Sequence, residues 1–219
     1  MLDSLMAAIR GGDMPRVEQL LDADASLLTQ RDAGGLSPLS LAAYSGHADM
    51  VARLRARHPG PDFWEACILG DSAAVQAALA RGQNVEALAP DGFTPLGLTV
   101  YFRHPALARV LLDARADPNA RATNAMRVGP IHAAVARGDL PTLVLLLERG
   151  GDANAAQAQG VRPLHEAAAS GHQEMVDALL SFGADAAARS DSGQTAADLA
   201  RAKGFTALAE RLHLRASAT

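Results

Sequence analysis

A triplet made of a small or polar residue, proline and an apolar residue recurs along the chain at Ser37-Pro38-Leu39, Thr94-Pro95-Leu96, Gly129-Pro130-Ile131 and Arg162-Pro163-Leu164, and Thr195-Ala196-Ala197 falls at the next step in register. From Pro95 to Pro130, Pro163 and Ala196 the steps are 35, 33 and 33 residues. Eight residues after each anchor comes a chain-reversal position, filled by Gly46, Gly138, Gly171 and Gly204, with Arg103 in that place after Pro95. Two independent marks thus share one register. Self-similarity at this period restricts the chain to a stack of like units, each packed on its neighbours.

The glycine mark extends to Gly12 and Gly70, which predicts degenerate units there, without the proline turn. Seven units result, at about 1–31, 32–61, 62–88, 89–121, 122–156, 157–189 and 190–219, in a single domain spanning 1–219. The step from Gly46 to Gly70 is only 24, so the third unit is shortened, by about nine residues of a normal 33. The deficit falls around His58-Pro59-Gly60-Pro61, which cannot continue a helix because proline lacks the amide donor and restricts the residue before it. Within a unit, a short small-residue stretch such as Leu39 to Ala43 precedes the glycine and an amphipathic one such as Leu143 to Leu147 follows it, both of helical type. Pro38, Pro95, Pro130 and Pro163 fall where a first helical turn tolerates proline, and Pro15, Pro105 and Pro141 repeat the device at the second helix. Unit ends such as Gly150-Gly151-Asp152-Ala153-Asn154 and Gly183-Ala184-Asp185 carry the glycine and Asp or Asn of a helix stop and turn. Each unit therefore reads as helix, turn, helix, hairpin loop.

Thr94-Pro95-Leu96, the Pro-Leu-His-Glu-Ala-Ala run from Pro163 to Ala168, Gly171-His172 and Gly183-Ala184-Asp185 resemble the ankyrin repeat, with its 33-residue period and Thr-Pro-Leu-His signature. The resemblance implies an all-α solenoid of stacked helix-turn-helix units. Thr195 to Ala200 is similar to the closing repeat of such arrays, which leads us to expect a complete array. Composition agrees with close stacking: 49% of residues are hydrophobic, yet only five Phe, two Tyr and one Trp are present. Short helices stacked in rows need small residues between them, which accounts for Ala42, Ala43, Ala133, Ala134, Ala167 and Ala168.

Several function classes recede on these grounds. No apolar run approaches the roughly 20 residues a bilayer requires, and the start MLDSLMAAIRGG lacks a secretory signal's basic opening, so the expectation is a cytoplasmic protein with no membrane partner. With 24 acidic against 20 basic residues, a net charge of -4, nothing favours nucleic acid as partner. The glycine pairs lack a phosphate-loop ending or dinucleotide spacing. His132 and His165 occupy the fourth position of the signature turn, where a neutral imidazole bridges polar groups. His47, His104 and His172 recur one residue past the reversal position, so repetition rather than metal binding explains them. Cys67 reads as a buried small side chain, and Arg53, Arg55, Arg57 and His58 as a solvated helix end. The chain reads as non-enzymatic, with no cofactor or metal.

Function then falls to surface recognition. In the ankyrin repeat, the two residues before the Gly-His pair and the one after the hairpin glycine are exposed on the concave face. On this chain those positions hold Leu36, Tyr44, Ile68, Leu69, Phe93, Tyr101 and Phe102, with Arg103 and Arg137 at the rim. Six of the eight aromatic residues lie between 44 and 102, around the shortened unit. Contiguous exposed apolar surface marks interaction sites. The resulting expectation is a monomeric module that binds a protein or peptide partner with acidic or aromatic segments. Two alternatives stay open: that the shortened unit collapses and buries the patch, and that Trp64, Cys67 and His58 line a small-ligand or enzymatic pocket there.

Overall fold

Several first helices open on a side-chain cap that satisfies amide groups the helix itself cannot. In a computed structural model, which describes residues 1–217, the hydroxyls of Ser37, Thr94 and Thr195 accept the amides of Ser40, Gly97 and Asp198 at 3.1, 3.0 and 3.2 Å. Fourteen α-helices follow in order: α1 (Leu2–Arg10), α2 (Met14–Ala23), α3 (Pro38–Tyr44), α4 (Ala48–Arg57), α5 (Phe63–Leu69), α6 (Ser72–Ala80), α7 (Pro95–Tyr101), α8 (Pro105–Asp113), α9 (Pro130–Ala136), α10 (Leu140–Glu148), α11 (Pro163–Ala169), α12 (Gln173–Ser181), α13 (Ala196–Ala202) and α14 (Thr206–Ser217). Successive helices pair into helix-turn-helix units, and no strand occurs among the described residues. None of these helices is long and apolar enough to cross a membrane.

Contacts divide the chain into two compact units, the first comprising Met1–Gln83 with Leu88–Gly92, the second Asn84–Ala87 with the chain from Phe93 onward. In the first, α3 packs on α1, α4 and α5, over a core that includes Leu5, Ile9, Leu21, Leu28, Leu39 and Leu54. The shortening lies in the connection between α4, which ends at Arg57, and α5, which starts at Phe63, whereas α8 and α9 are separated by residues 114–129. The Pro-Gly-Pro turn fills the gap. Asp62 replaces the hydroxyl cap, accepting the amides of Trp64 and Glu65 at 3.0 and 2.9 Å, while Glu65 accepts the Asp62 amide at 3.0 Å. Asp62 also pairs with Arg31. The other Glu65 oxygen accepts from Ser37 Oγ at 2.6 Å, and His58 Nε2 lies 3.6 Å from Oε2, with both side chains buried. Arg53 pairs with Glu18, Arg55 with Asp71 and Arg57 with Asp22, so these arginines are neutralised within the fold.

In the second unit, α7 packs on α9, α9 on α11 and α11 on α13. Ala134, Ala167, Ala168 and Ala200 are fully buried, which lets the helices approach closely. Asparagines tie one hairpin to the next: Asn119 donates to the Gly150 carbonyl at 3.0 Å and accepts the Asp152 amide at 2.7 Å, and Asn154 does the same with Gly183 and Asp185, at 2.8 Å each. His165 bridges the signature turn as a neutral imidazole. Its Nδ1 accepts the Arg162 amide at 3.1 Å, leaving Nε2–H to donate toward the carbonyls of Ala188 and Gln194 at 3.2 and 3.1 Å. At Gly12, Gly138 and Gly171 the residue past the next reversal, His47, His172 and Phe205 in turn, roofs the glycine. At Gly171, which has a φ of +70°, a Cβ would come within 2.5 Å of the Phe205 ring.

Candidate protein-binding face

On a short helix, residues i, i+3 and i+4 share one face. In the second compact unit this places Leu98, Tyr101 and Phe102 together along α7 and its end, Ala133, Ala136 and Arg137 along α9, and Glu166, Ala169 and Ser170 along α11. Since α7, α9 and α11 pack side by side, the accessible members of the three sets form one surface, with Leu98 and Ala133 buried beneath it. Its largest feature lies at the α7 side. The rings of Tyr101 and Phe102 meet edge to face, with centroids 5.3 Å apart and planes at 83°, and the Arg137 guanidinium lies over the Tyr101 ring, 5.0 Å from its centroid. Such a cation–π contact contributes about 0.5–1 kcal/mol at an exposed site, which favours this placement of the arginine without locking it. Tyr101 and Phe102 are partly buried, and Arg137 and Arg103 are exposed. Arg103 takes the left-handed backbone at φ 63°, as the reversal glycines do elsewhere. Phe93, before the Thr94 cap, is partly buried.

Glu166 gives the same surface a different chemistry. In the corresponding position α7, α9 and α13 carry Leu98, Ala133 and Leu199. Glu166 is partly buried, its Oε2 is shielded from solvent, and no hydrogen-bond partner reaches that atom among the described residues. Burial raises its carboxyl pKa to about 6. Reading the sequence by large apolar side chains passed over this residue. Its signal was a carboxylate in register with Leu and Ala.

In the first compact unit the expected patch residues separate. Ile68 does not belong to an exposed surface: it is 5% exposed. Helix α5 ends directly on Gly70, which itself takes the left-handed conformation, whereas α3 has Ser45 between its end and Gly46. The reversal itself keeps the common register, the Gly70 and Asp71 amides donating to the Cys67 and Ala66 carbonyls as those of Gly46 and His47 do to Ala43 and Ala42, so Ile68 takes the place of Tyr44 and Tyr101 and is nevertheless buried. Leu69 and Leu36 are partly buried and pack on the unit's core. Tyr44 is partly buried, its hydroxyl donating to Asp91 Oδ2 at 3.2 Å. Of the pocket candidates, Cys67 is fully buried, His58 faces Glu65, and Trp64 packs edge-on to the buried Phe63 with centroids 6.4 Å apart. Two clefts of about 290 and 490 Å³ lie elsewhere, in the second unit, one beside His172 and Met175 and one between α12 and α14.

Comparison with known proteins agrees with this architecture. The model for ankyrin repeats in three copies matches residues 131–216, and that for the ankyrin repeat matches residues 91–123. A putative ankyrin repeat-containing protein of Treponema pallidum (strain Nichols) is 28% identical over 151 residues, which is 68% of this chain and 42% of the relative, so the chain spans less than half the length of that relative. Helix pairs at a 33-residue step, capped signature turns and family matches over more than half of its length together place the chain in the ankyrin-repeat family.

Proposed function

We propose that the protein is a non-catalytic binding module for a protein or peptide, acting as an adaptor, inhibitor or regulator, and that it holds its partner on the first-helix face of the second compact unit. Ankyrin repeats are in general protein–protein interaction modules. The observation that carries this assignment of the face is the Tyr101–Phe102 pair with Arg137 over the Tyr101 ring. At the same two positions α11 carries Ala169 and Ser170, so the rings are not demanded by the repeat. Aromatic rings and arginine dominate many interfaces because they bury large area and hydrogen-bond at little entropic cost, at ~2 kcal/mol or more each on truncation. Arg103 and Arg137 at the rim favour a partner segment with acidic or aromatic side chains, bound by a cytoplasmic monomer. Affinity capture from the producing cells should recover a partner with the wild type and lose it with the Tyr101→Ala, Phe102→Ala variant. Equal recovery by a folded variant would remove the site from this face.

A further inference from the structure

We propose that Glu166 is a second recognition point on this face and that it receives a lysine or arginine side chain of the bound segment. The inference rests on the reading above, that the first-helix face of the second unit binds a peptide.

A carboxylate pays a large desolvation cost wherever it is shielded from water, and native folds offset it by a cation or by several hydrogen bonds. Glu166 Oε2 has neither among the described residues. Helix α11 packs against α9, α12 and α13, and the charged and titratable groups on and beside those elements are engaged elsewhere or lie out of reach of that atom. On α9, His132 is buried and Arg137 lies over Tyr101. On α12, Asp177 pairs with Arg211 at 2.8 Å, and His172 and Glu174 are exposed. On α13, Arg201 pairs with Asp198 at 3.5 Å, and Lys203 is exposed. On α11 itself, His165 serves the signature turn, and the adjoining Arg162 lies 3.8 Å from Asp185.

Around Glu166 the accessible residues of this face include the small Ala136, Ala169 and Ser170, with Ala133 buried beneath them and the Arg137 guanidinium turned over Tyr101, which leaves room for an incoming chain. A cation arriving there would be desolvated together with the carboxylate. The geometry gives a spacing as well. Packed helices lie about 8–10 Å apart, so Glu166 is about one helix spacing from Arg137 and about two from Tyr101. An extended peptide advances about 3.3 Å per residue. The cationic residue should therefore stand about three to six residues from the acidic or aromatic residue that meets Arg137 and Tyr101. The raised carboxyl pKa is consistent with this, since it reflects a desolvation cost that a bound cation would offset.

The test is to pan a random peptide display library, about twelve residues long, against the full-length protein. Enriched peptides are then titrated against wild type, Glu166→Gln and Tyr101→Ala, Phe102→Ala. We expect enriched sequences to carry Lys or Arg at that spacing. Glu166→Gln should weaken them at least about tenfold, while replacing the peptide's basic residue by methionine should cost the wild type the same factor and cost Glu166→Gln nothing more. Binding to wild type, and not to Glu166→Gln, should weaken as pH falls from 7.5 to 5.5. Peptides that need Tyr101 and Phe102 but bind Glu166→Gln unchanged would overturn this proposal and leave the binding face standing. Failure to enrich any peptide, or peptides insensitive to both variants, would overturn both.

Discussion

Where the third repeat has neither proline nor hydroxyl to open its first helix, Asp62 and Glu65 perform both tasks, and the second oxygen of Glu65 reaches Ser37 in the preceding repeat at 2.6 Å. Glu65 is 3% exposed and Ser37 1%, so removing the carboxylate leaves the capped Asp62 amide without its partner, takes the short charge-assisted bond from the Ser37 hydroxyl, which keeps only Ser40, and removes the acid facing the buried His58 side chain. Glu65→Ala should lower stability by about 2–4 kcal/mol in urea unfolding, because buried polar groups left without partners cost more than their bonds contribute. An unchanged midpoint would mean that the cluster is not formed. Asp62 and Glu65 were legible in the sequence as a capping-box spacing, but a search keyed to proline passes over them. Ile68 keeps the repeat's register at Gly70, yet it is buried in a unit whose helix has one residue fewer between its cap Asp62 and its reversal Gly70 than the helix between Ser37 and Gly46, a local difference that the spacing of glycines alone does not disclose.

At the scale of helices and turns, the period disclosed almost everything, because proline, cap and glycine each impose a local conformation that stacking then repeats. Helix pairs, hairpins and the shortened joint all follow from spacing. What spacing could not disclose is how the stretch from Phe93 to Val128 manages its turns without glycine. Arg103, Arg115 and Arg127 adopt φ of 63°, 72° and 51° there, in places where other units use Gly138, Gly150 and Gly160, at 63°, 89° and 66°. Left-handed backbone costs a residue with a Cβ roughly 1–2 kcal/mol, against which glycine loses about 0.5–1 kcal/mol in chain entropy. Arg115→Gly should therefore stabilise the protein by about 0.5–1 kcal/mol, read as a rise in denaturant midpoint. A fall would show that the guanidinium makes a contact worth more than the strain.

Across the whole chain, acid stability is set by buried groups that pull in opposite directions. Desolvation lowers the pKa of His132 from 6.5 to about 4, so between those values the unfolded chain takes up a proton that the folded chain refuses. Stability supplied by the neutral imidazole is thus complete above pH 6.5 and lost toward pH 4, by ~3 kcal/mol over the span. His165, lowered mainly by burial, acts in the same direction. Glu166 acts against them: with its carboxyl at about 6 rather than 4.5, the folded chain holds a proton that the unfolded chain has released, so acidification from about 6 to 4.5 stabilises the fold. Asp198, lowered by hydrogen bonds from Thr195, adds its loss only below the ordinary carboxylate range. Urea midpoints of the wild type should accordingly decline gently from pH 6.5 to 4.5 and steeply below. In Glu166→Gln the opposing contribution is gone. The variant should be at least as stable as wild type at pH 7.5, where the shielded charge has been removed, and should lose stability faster between pH 6.5 and 4.5, so that the two curves converge toward acid. Parallel curves would show that Glu166 titrates as an ordinary solvated carboxylate.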